Sequence, residues 1–550
     1  MSDGTYDYVV VGAGSAGCVL ANRLSANGRY SVLLLEAGPK DNYLWIHIPI
    51  GYAKTMFHPV YNWGFSTEPD PNMKGRKLYW PRGRGLGGSS SINGLIYVRG
   101  QPEDYDHWAA LGNPGWAWKD VLPYFIKSEH NTRGASHCHG GDGPLWCSDI
   151  EERDELMEAI IAGGQQLGVR RTDDFNCMQQ EGVGYYQLFT RHGWRCSTAV
   201  SYLKPVRNRP NLRVEVDAHA TGIIFEGRRA TGVKYQHHGK ERMVRAAREV
   251  ILAAGAIQSP QLLQLSGVGP SELLQPMGIP VVHHLPGVGE NLQDHLQLRA
   301  MYKVTKPITT NDDLRSLWGR SRMGLKWLLF RKGPLAVGIN QAGLFTSVMP
   351  ESRTPDIQFH FAALSADQAG GAPHRWPGCT FSVCQLRPES RGTVRIKSRA
   401  PLEAPAMFAN YLATELDQRC AVEGLKFARK LAATPALKPY IASEYRPGPG
   451  CVDDAGLLDF AREYGQTIFH PSGTCKMGTG PLAVVDATLR VHGVAGLRVV
   501  DCSVMPILVS GNTNAPVVMI AEKASDMILA ETSTATSGKG THVPSFAEQH

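Results

Sequence analysis

The chain lacks the features that mark several large protein classes. Its eleven cysteines include no Cys-x-x-Cys pair. An odd number spread this thinly fits reduced thiols in a cytoplasmic protein better than a disulfide framework. No stretch reaches the roughly 18 apolar residues of a membrane-spanning helix. No cationic and then apolar leader opens the sequence, so no signal peptide is expected. The formal charge is only +7, with no basic stripe, so nucleic acid is not an expected partner. His137, Cys138, His139 and Cys147 match no standard zinc spacing, and no metal site is expected. A second strand–GxGxxG–helix unit is also missing, so the chain is expected to hold one dinucleotide.

What is present is 550 residues, 43% hydrophobic and 19% charged, enough for two or more packed units. Tyr6 to Val11 reads as a buried parallel strand. Gly12-Ala13-Gly14-Ser15-Ala16-Gly17 follows, and Ser15 to Ser25 reads as a helix. Ser31 to Glu36 is a second strand ending in an acid, nineteen residues after Gly17 (36 − 17). This is the βαβ start of a dinucleotide-binding domain. Gly12 makes the tight turn, Gly14 admits a pyrophosphate, and Gly17 lets helix and strand pack closely. Glu36 suits ribose hydroxyls, and its charge argues against a 2′-phosphate. The spacing does not separate FAD from NAD.

Downstream, residues 70–100 are rich in Gly, Pro and Ser and read as extended loop. Leu212–Val216, Thr231–Tyr235 and Glu249–Gly255 read as strands, the last leading into a glycine turn. Ala515 to Leu529 reads as a final helix, and the Ser/Thr/Gly-rich end as a flexible tail. His470, in Phe-His-Pro-Ser-Gly-Thr, is a candidate base, because a neutral imidazole takes protons near neutrality. Asn514 follows it by 44 residues (514 − 470), where it suits a helix N-cap with Pro516 in the first turn. Arg315 to Lys332 is basic and amphipathic, fit for a membrane surface.

Several of these segments resemble one family. Gly83 to Gly94, Gly255 to Gly269, Pro286 to His295, and the His470 and Asn514 segments are similar, in order, to motifs of the glucose–methanol–choline (GMC) family of FAD oxidoreductases. Within it, the chain resembles the choline dehydrogenase-like alcohol dehydrogenases. The resemblance spans about residues 6–530 and implies an α/β fold. A Rossmann-like FAD-binding domain would comprise 1–155, 205–310 and 465–535. A mixed α+β substrate domain would comprise 156–204 and 311–464, with 536–550 as the tail.

The resemblance further implies oxidation of an alcohol, of the primary kind, to an aldehyde. Hydride would pass to the flavin N5, His470 would be the base, and Asn514 would hold the substrate oxygen. Gly12, Gly14, Ser15, Ala16, Gly17, Glu36 and Ala37 would hold the dinucleotide. Gly87, Ser90, Asn93, Gly94, Leu95 and Ile96 would run beside the flavin, and Ala220 would support the adenine. Asp501 and Cys502 would approach the pyrophosphate, and Asn514 and Pro516 the flavin pyrimidine. Trp63 and Phe469 would either flank the flavin and substrate or pack in the core. Ile92 stands where some members carry a flavin-linking histidine, so the FAD is expected to be non-covalent. The basic stretch would roof the substrate cavity, which is favoured over membrane contact. The electron acceptor, a quinone, a dye or oxygen, stays open, as do an oxygen-using oxidase and a lyase on the same fold.

Overall fold

Val9, Val10 and all of Val32–Leu35 are buried, as strands covered on both faces require. In the computed structural model, which describes residues 2–368 and 370–537, they belong to a seven-stranded sheet. Its order is Leu212–Glu215, Val32–Leu35, Ser2–Val11, Lys240–Leu252, Arg229–His237, Ala218–Glu226, with Leu497–Val499 also pairing to Lys240–Leu252. Ser2–Val11 pairs in parallel with both of its neighbours. Its run from Tyr8 to Val11 is apolar without alternation, because both faces of the strand are covered. The last three strands of the row form an antiparallel meander. The helix Ser15–Leu24 follows the glycine turn as expected.

A second seven-stranded sheet is antiparallel throughout. Its order is Ile441–Arg446, Leu296–Val304, Gly378–Gln385, Ile357–Ala362, Asn340–Thr346, Gly182–Tyr185, with Gln466–Thr467 also pairing to Leu296–Val304. Leu296–Val304 thus sits in this sheet, although the expected boundary grouped residues up to 310 with the first. The chain crosses between the sheets at 293–297 and 466–472, a crossing that matters for the site.

The final helix runs Asn514–Ser537. It is longer than expected, and Asn514 stands at its first helical position rather than before it. Glu522 fastens this helix to the first, accepting from Arg23 at 2.6 Å and from the Tyr202 hydroxyl at 2.8 Å. Residues 536 and 537 of the expected tail are therefore helical, and 538–550 lie outside the described residues. The expectation of wholly reduced thiols is corrected: Cys138 and Cys177 form a disulfide, and the other nine cysteines are free. The pair is 39 residues apart, beyond what spacing alone reveals.

Candidate active site

One large cavity of about 570 Å³ runs between the two sheets. At one end it meets the dinucleotide turn, with Gly12, Gly14, Ser15, Ala16, Glu36, Ala37 and Ala220 in its wall. Gly12 adopts φ +100°, and a Cβ on Gly17 would lie 1.8 Å from the Gly12 carbonyl oxygen. Gly17 therefore packs behind the wall and sets the strand–helix distance. The nearest protein atom to a Cβ on Gly14 is 3.9 Å away, so space is left there for a ligand. The helix Ser15–Leu24 has no side-chain cap, and its first amides open on that space. An uncapped helix start of this kind suits a phosphate.

Glu36 is buried, and its carboxylate accepts from the amides of Ala13 (2.8 Å), Gly38 (2.8 Å) and Gly85 (2.9 Å). Burial still pushes its pKa upward. Asp501 is held in the same way, by the Gly255 amide (2.8 Å), the Ser259 hydroxyl (2.6 Å) and the Ser503 amide (2.8 Å). Asp501 and Cys502 line the cavity, as do Ile92, Asn93, Gly94, Leu95 and Ile96. A Cβ on Gly94 would meet nothing within 4 Å, so its wall is also open. Gly87, Ser90 and Pro516 are not in the wall. Ser90 braces the loop instead, donating to the Gly87 carbonyl (2.6 Å), and buried Arg195 donates to Asn93 Oδ1 (2.8 Å). Trp63 and Phe469 both line the cavity.

The second end is built by the crossing segments. Residues 293–297 pair with 466–472 through Leu296 with Thr467, Gln297 with Gln466, and Gln293 with Ser472. This pairing sets His295 against His470, with their Nδ1 atoms 2.9 Å apart. Phe469 takes φ +72°, rare for an aromatic residue. Its amide donates to Thr467 Oγ1 (2.7 Å), and its carbonyl accepts from Arg82 (2.6 Å). The His470 amide donates to Asp294 Oδ1 at 2.8 Å. Asp294 also accepts from Thr467 and Tyr411, yet burial raises its pKa to about 6.

These contacts fix the protons. His295 Nε2 lies 2.9 Å from the Leu386 carbonyl, which only accepts, so His295 carries its proton on Nε2. Its Nδ1 is then an acceptor, and His470 must donate to it from Nδ1. His470 Nε2 is left with its lone pair toward the cavity, 3.3 Å from Asn512 Nδ2. Burial lowers the His295 pKa to about 4. Burial, then His295, His360 and Arg82, holds His470 well below the usual imidazole range. Both rings stay neutral.

Asn512, not Asn514, is the amide beside this base. Asn512 Oδ1 accepts from Gln358 at 3.2 Å, which turns its NH₂ toward His470. Asn514 lines the cavity on the dinucleotide side, where its Oδ1 accepts from Ser15 at 2.7 Å. His360 also lines the cavity. The sequence reading missed Asn512, His295 and His360. Only the position of His295, at the end of a family-like stretch, was a signal.

The basic helix Leu317–Phe330 roofs the cavity through Met323, with Leu314 and Leu335 beside it. Trp327 anchors it to the Gly193 carbonyl (3.0 Å). Its outer face is bare, with Leu317 81%, Trp318 76% and Leu329 67% exposed. Among the described residues no helix is long and apolar enough to cross a membrane. In the His137–Cys147 cluster Cys138 is spent in the disulfide, and His139 lies between Glu129 (3.0 Å) and Asp174 (2.9 Å).

Comparison with known proteins places the chain in a family. The GMC oxidoreductase family models match residues 6–297 and 388–521. The chain is 44% identical to the mitochondrial choline dehydrogenase of Mus musculus, over 95% of this chain and 89% of that one. It is 43% identical to an alcohol dehydrogenase [acceptor] of Pseudomonas putida, over 95% and 96%. An FAD-dependent oxidoreductase from Chaetomium thermophilum superposes with a TM-score of 0.88 at 27% identity, covering 96% of this chain and 100% of that one.

Proposed function

The chain belongs to the GMC oxidoreductase family, whose members act on CH–OH donors with FAD, and from this premise we propose that it oxidises a primary alcohol to an aldehyde with His470 as the base. The residues of the wall fit FAD: an uncapped helix start, room above Gly14, and an open face at Gly94. FAD, when bound there, supplies the hydride acceptor.

The protein's own part is the proton. A hydroxyl seated on the cavity side of His470 Nε2 and Asn512 Nδ2, within reach of both, meets one acceptor and one donor. His470 Nε2 takes the hydroxyl proton, and Asn512 donates to the oxygen as negative charge develops on it. His295 keeps the imidazole in the tautomer that can do this, as a third group orients the base in other catalytic dyads. Asp294, through the His470 amide, and Arg82, through the Phe469 carbonyl, hold the backbone that carries the base. The observation that supports the reading most is the neutral His470 with Nδ1 locked against His295 and Nε2 left as an acceptor on the cavity side, beside the Asn512 amide.

Ile92 in the wall supports a non-covalent flavin, which acid precipitation of the protein would release to the supernatant. The central test is anaerobic mixing of the purified protein with a panel of alcohols. Flavin absorbance should bleach with at least one, and His470→Ala should slow bleaching by about a thousandfold or more. A bound flavin that no alcohol bleaches would reject the reading. Admitting air afterwards separates an oxidase from a dehydrogenase.

A further inference from the structure

Among the described residues, the wall of the cavity contains only two carboxylates, and both are engaged. Glu36 and Asp501 sit at the dinucleotide end, each held by three donors. A quaternary ammonium alcohol needs an acid or an aromatic cage near its charge; of the four Trp, Tyr and Phe rings in the wall, Trp45 already carries Lys54 and Trp63 carries Arg84, leaving Tyr52 and Phe469. At the substrate end there is a cation instead. Arg299 lines the cavity, and its Nη1 is buried without a hydrogen-bond partner. The guanidinium has no ion pair among the described residues. The acid that faces it, Asp367, is bound by Arg446 at 2.8 Å and His374 at 3.3 Å. Burial, and then Arg446, lowers the Arg299 pKa to about 10, as a charge without close compensation requires. The other two wall cations are occupied: Lys54 lies 3.7 Å over the Trp45 ring, and Arg82 donates to the Pro81 and Phe469 carbonyls.

The position of Arg299 is set by strand register. Arg299 is the cross-strand partner of Ser382, and Ser382 is the partner of His360. Cross-strand partners share a face, and all three line the cavity. Two strand spacings put the Arg299 backbone about 10 Å from that of His360. The His360 end adjoins the base, because Gln358, two residues earlier, holds Asn512. An alcohol with its hydroxyl at His470 and its chain laid along this row brings its far end to Arg299.

We propose that the physiological substrate is an alcohol whose far end, several carbons from the hydroxyl, carries a carboxylate or similar anion bound by Arg299. The proposal rests on the alcohol-oxidation reading, and a binding measurement makes it testable apart from that reading. Octanoate has the acid but no hydroxyl to oxidise. By calorimetry on the FAD-loaded protein, octanoate should bind wild type roughly ten- to hundredfold more tightly than Arg299→Ala, with Arg299→Lys between them. In turnover, kcat/KM for 8-hydroxyoctanoate should exceed that for 1-octanol by about tenfold or more, with choline poorest. That ratio should collapse in Arg299→Ala. Equal octanoate binding by wild type and Arg299→Ala, in variants that melt like wild type, would overturn the proposal. So would a ratio near one in wild type, or choline as the best substrate. Octanoate binding that depends on Arg299, with no alcohol bleaching the flavin, would reject the oxidation reading and keep the anion site.

Discussion

Replacing His295 by alanine tests the tautomer lock directly. In the native protein the Leu386 carbonyl forces the proton of His295 onto Nε2, so His295 Nδ1 accepts from His470 at 2.9 Å. In His295→Ala, His470 Nδ1–H loses its only partner inside a buried site. An unsatisfied buried donor costs about 1–3 kcal/mol. That penalty falls on the one tautomer with a free Nε2, and the ring escapes it by moving the proton to Nε2 or by rotating. Each 1.36 kcal/mol is tenfold, so alkoxide formation should slow by roughly ten- to a hundredfold. The assay is the anaerobic rate of flavin bleaching by a good alcohol in stopped flow, at saturating substrate. His295→Asn, which can still present an amide oxygen to His470, should recover several-fold. A folded, FAD-loaded His295→Ala that bleaches within about twofold of wild type would refute the argument, because no comparable acceptor faces His470 Nδ1.

Further outcomes follow from the same geometry. Asn512→Ala should slow bleaching about tenfold or more with FAD retained, whereas Asn514→Ala should act mainly by loosening FAD; equal kinetic losses in the two would contradict their separate placement. Gly17→Ala puts a Cβ 1.8 Å from the Gly12 carbonyl and should yield protein without flavin, while Gly324→Ala, with nothing within 4 Å, should leave flavin content unchanged; flavin spectra decide. Burial opposes protonation of His139, but its bonds to Asp174 and Glu129 prevail and raise its pKa to about 9. A raised folded pKa gives stability that is complete below about 6.5 and is lost as pH rises through about 9, of order 3 kcal/mol. Urea unfolding of wild type near the two ends of that window should show the loss, and His139→Gln should show little of it.

The parts of the molecule legible in the sequence were those whose chemistry is local. Gly12, Gly17 and Glu36 act within one βαβ unit, and their spacing states their roles. His470 was legible by its motif, but its partners were not. Gly511-Asn512-Thr513-Asn514 offers two amides two residues apart, and spacing cannot say which faces the base. The backbone decides, since Gly511 takes φ +149° and the helix starts at Asn514. His295 and Arg299 lie on or beside a strand whose mates, Gly378–Gln385 and then Ile357–Ala362, follow far along the chain. The face that carries Arg299 beside Ser382 and His360 exists only in the folded sheet. Cys138 and Cys177 escaped for the same reason.

The strand Leu497–Val499 pairs with Lys240–Leu252, and the helix Asn514–Ser537 clasps the helix Ser15–Leu24. This βαβ unit thus waits for a helix whose Glu522 follows its Arg23 by 499 positions before its cover is complete. The base reaches its orienting histidine only across 175 positions of sequence. A nascent chain therefore carries a half-built dinucleotide cleft, its apolar strands uncovered, until the segments that close it have been made.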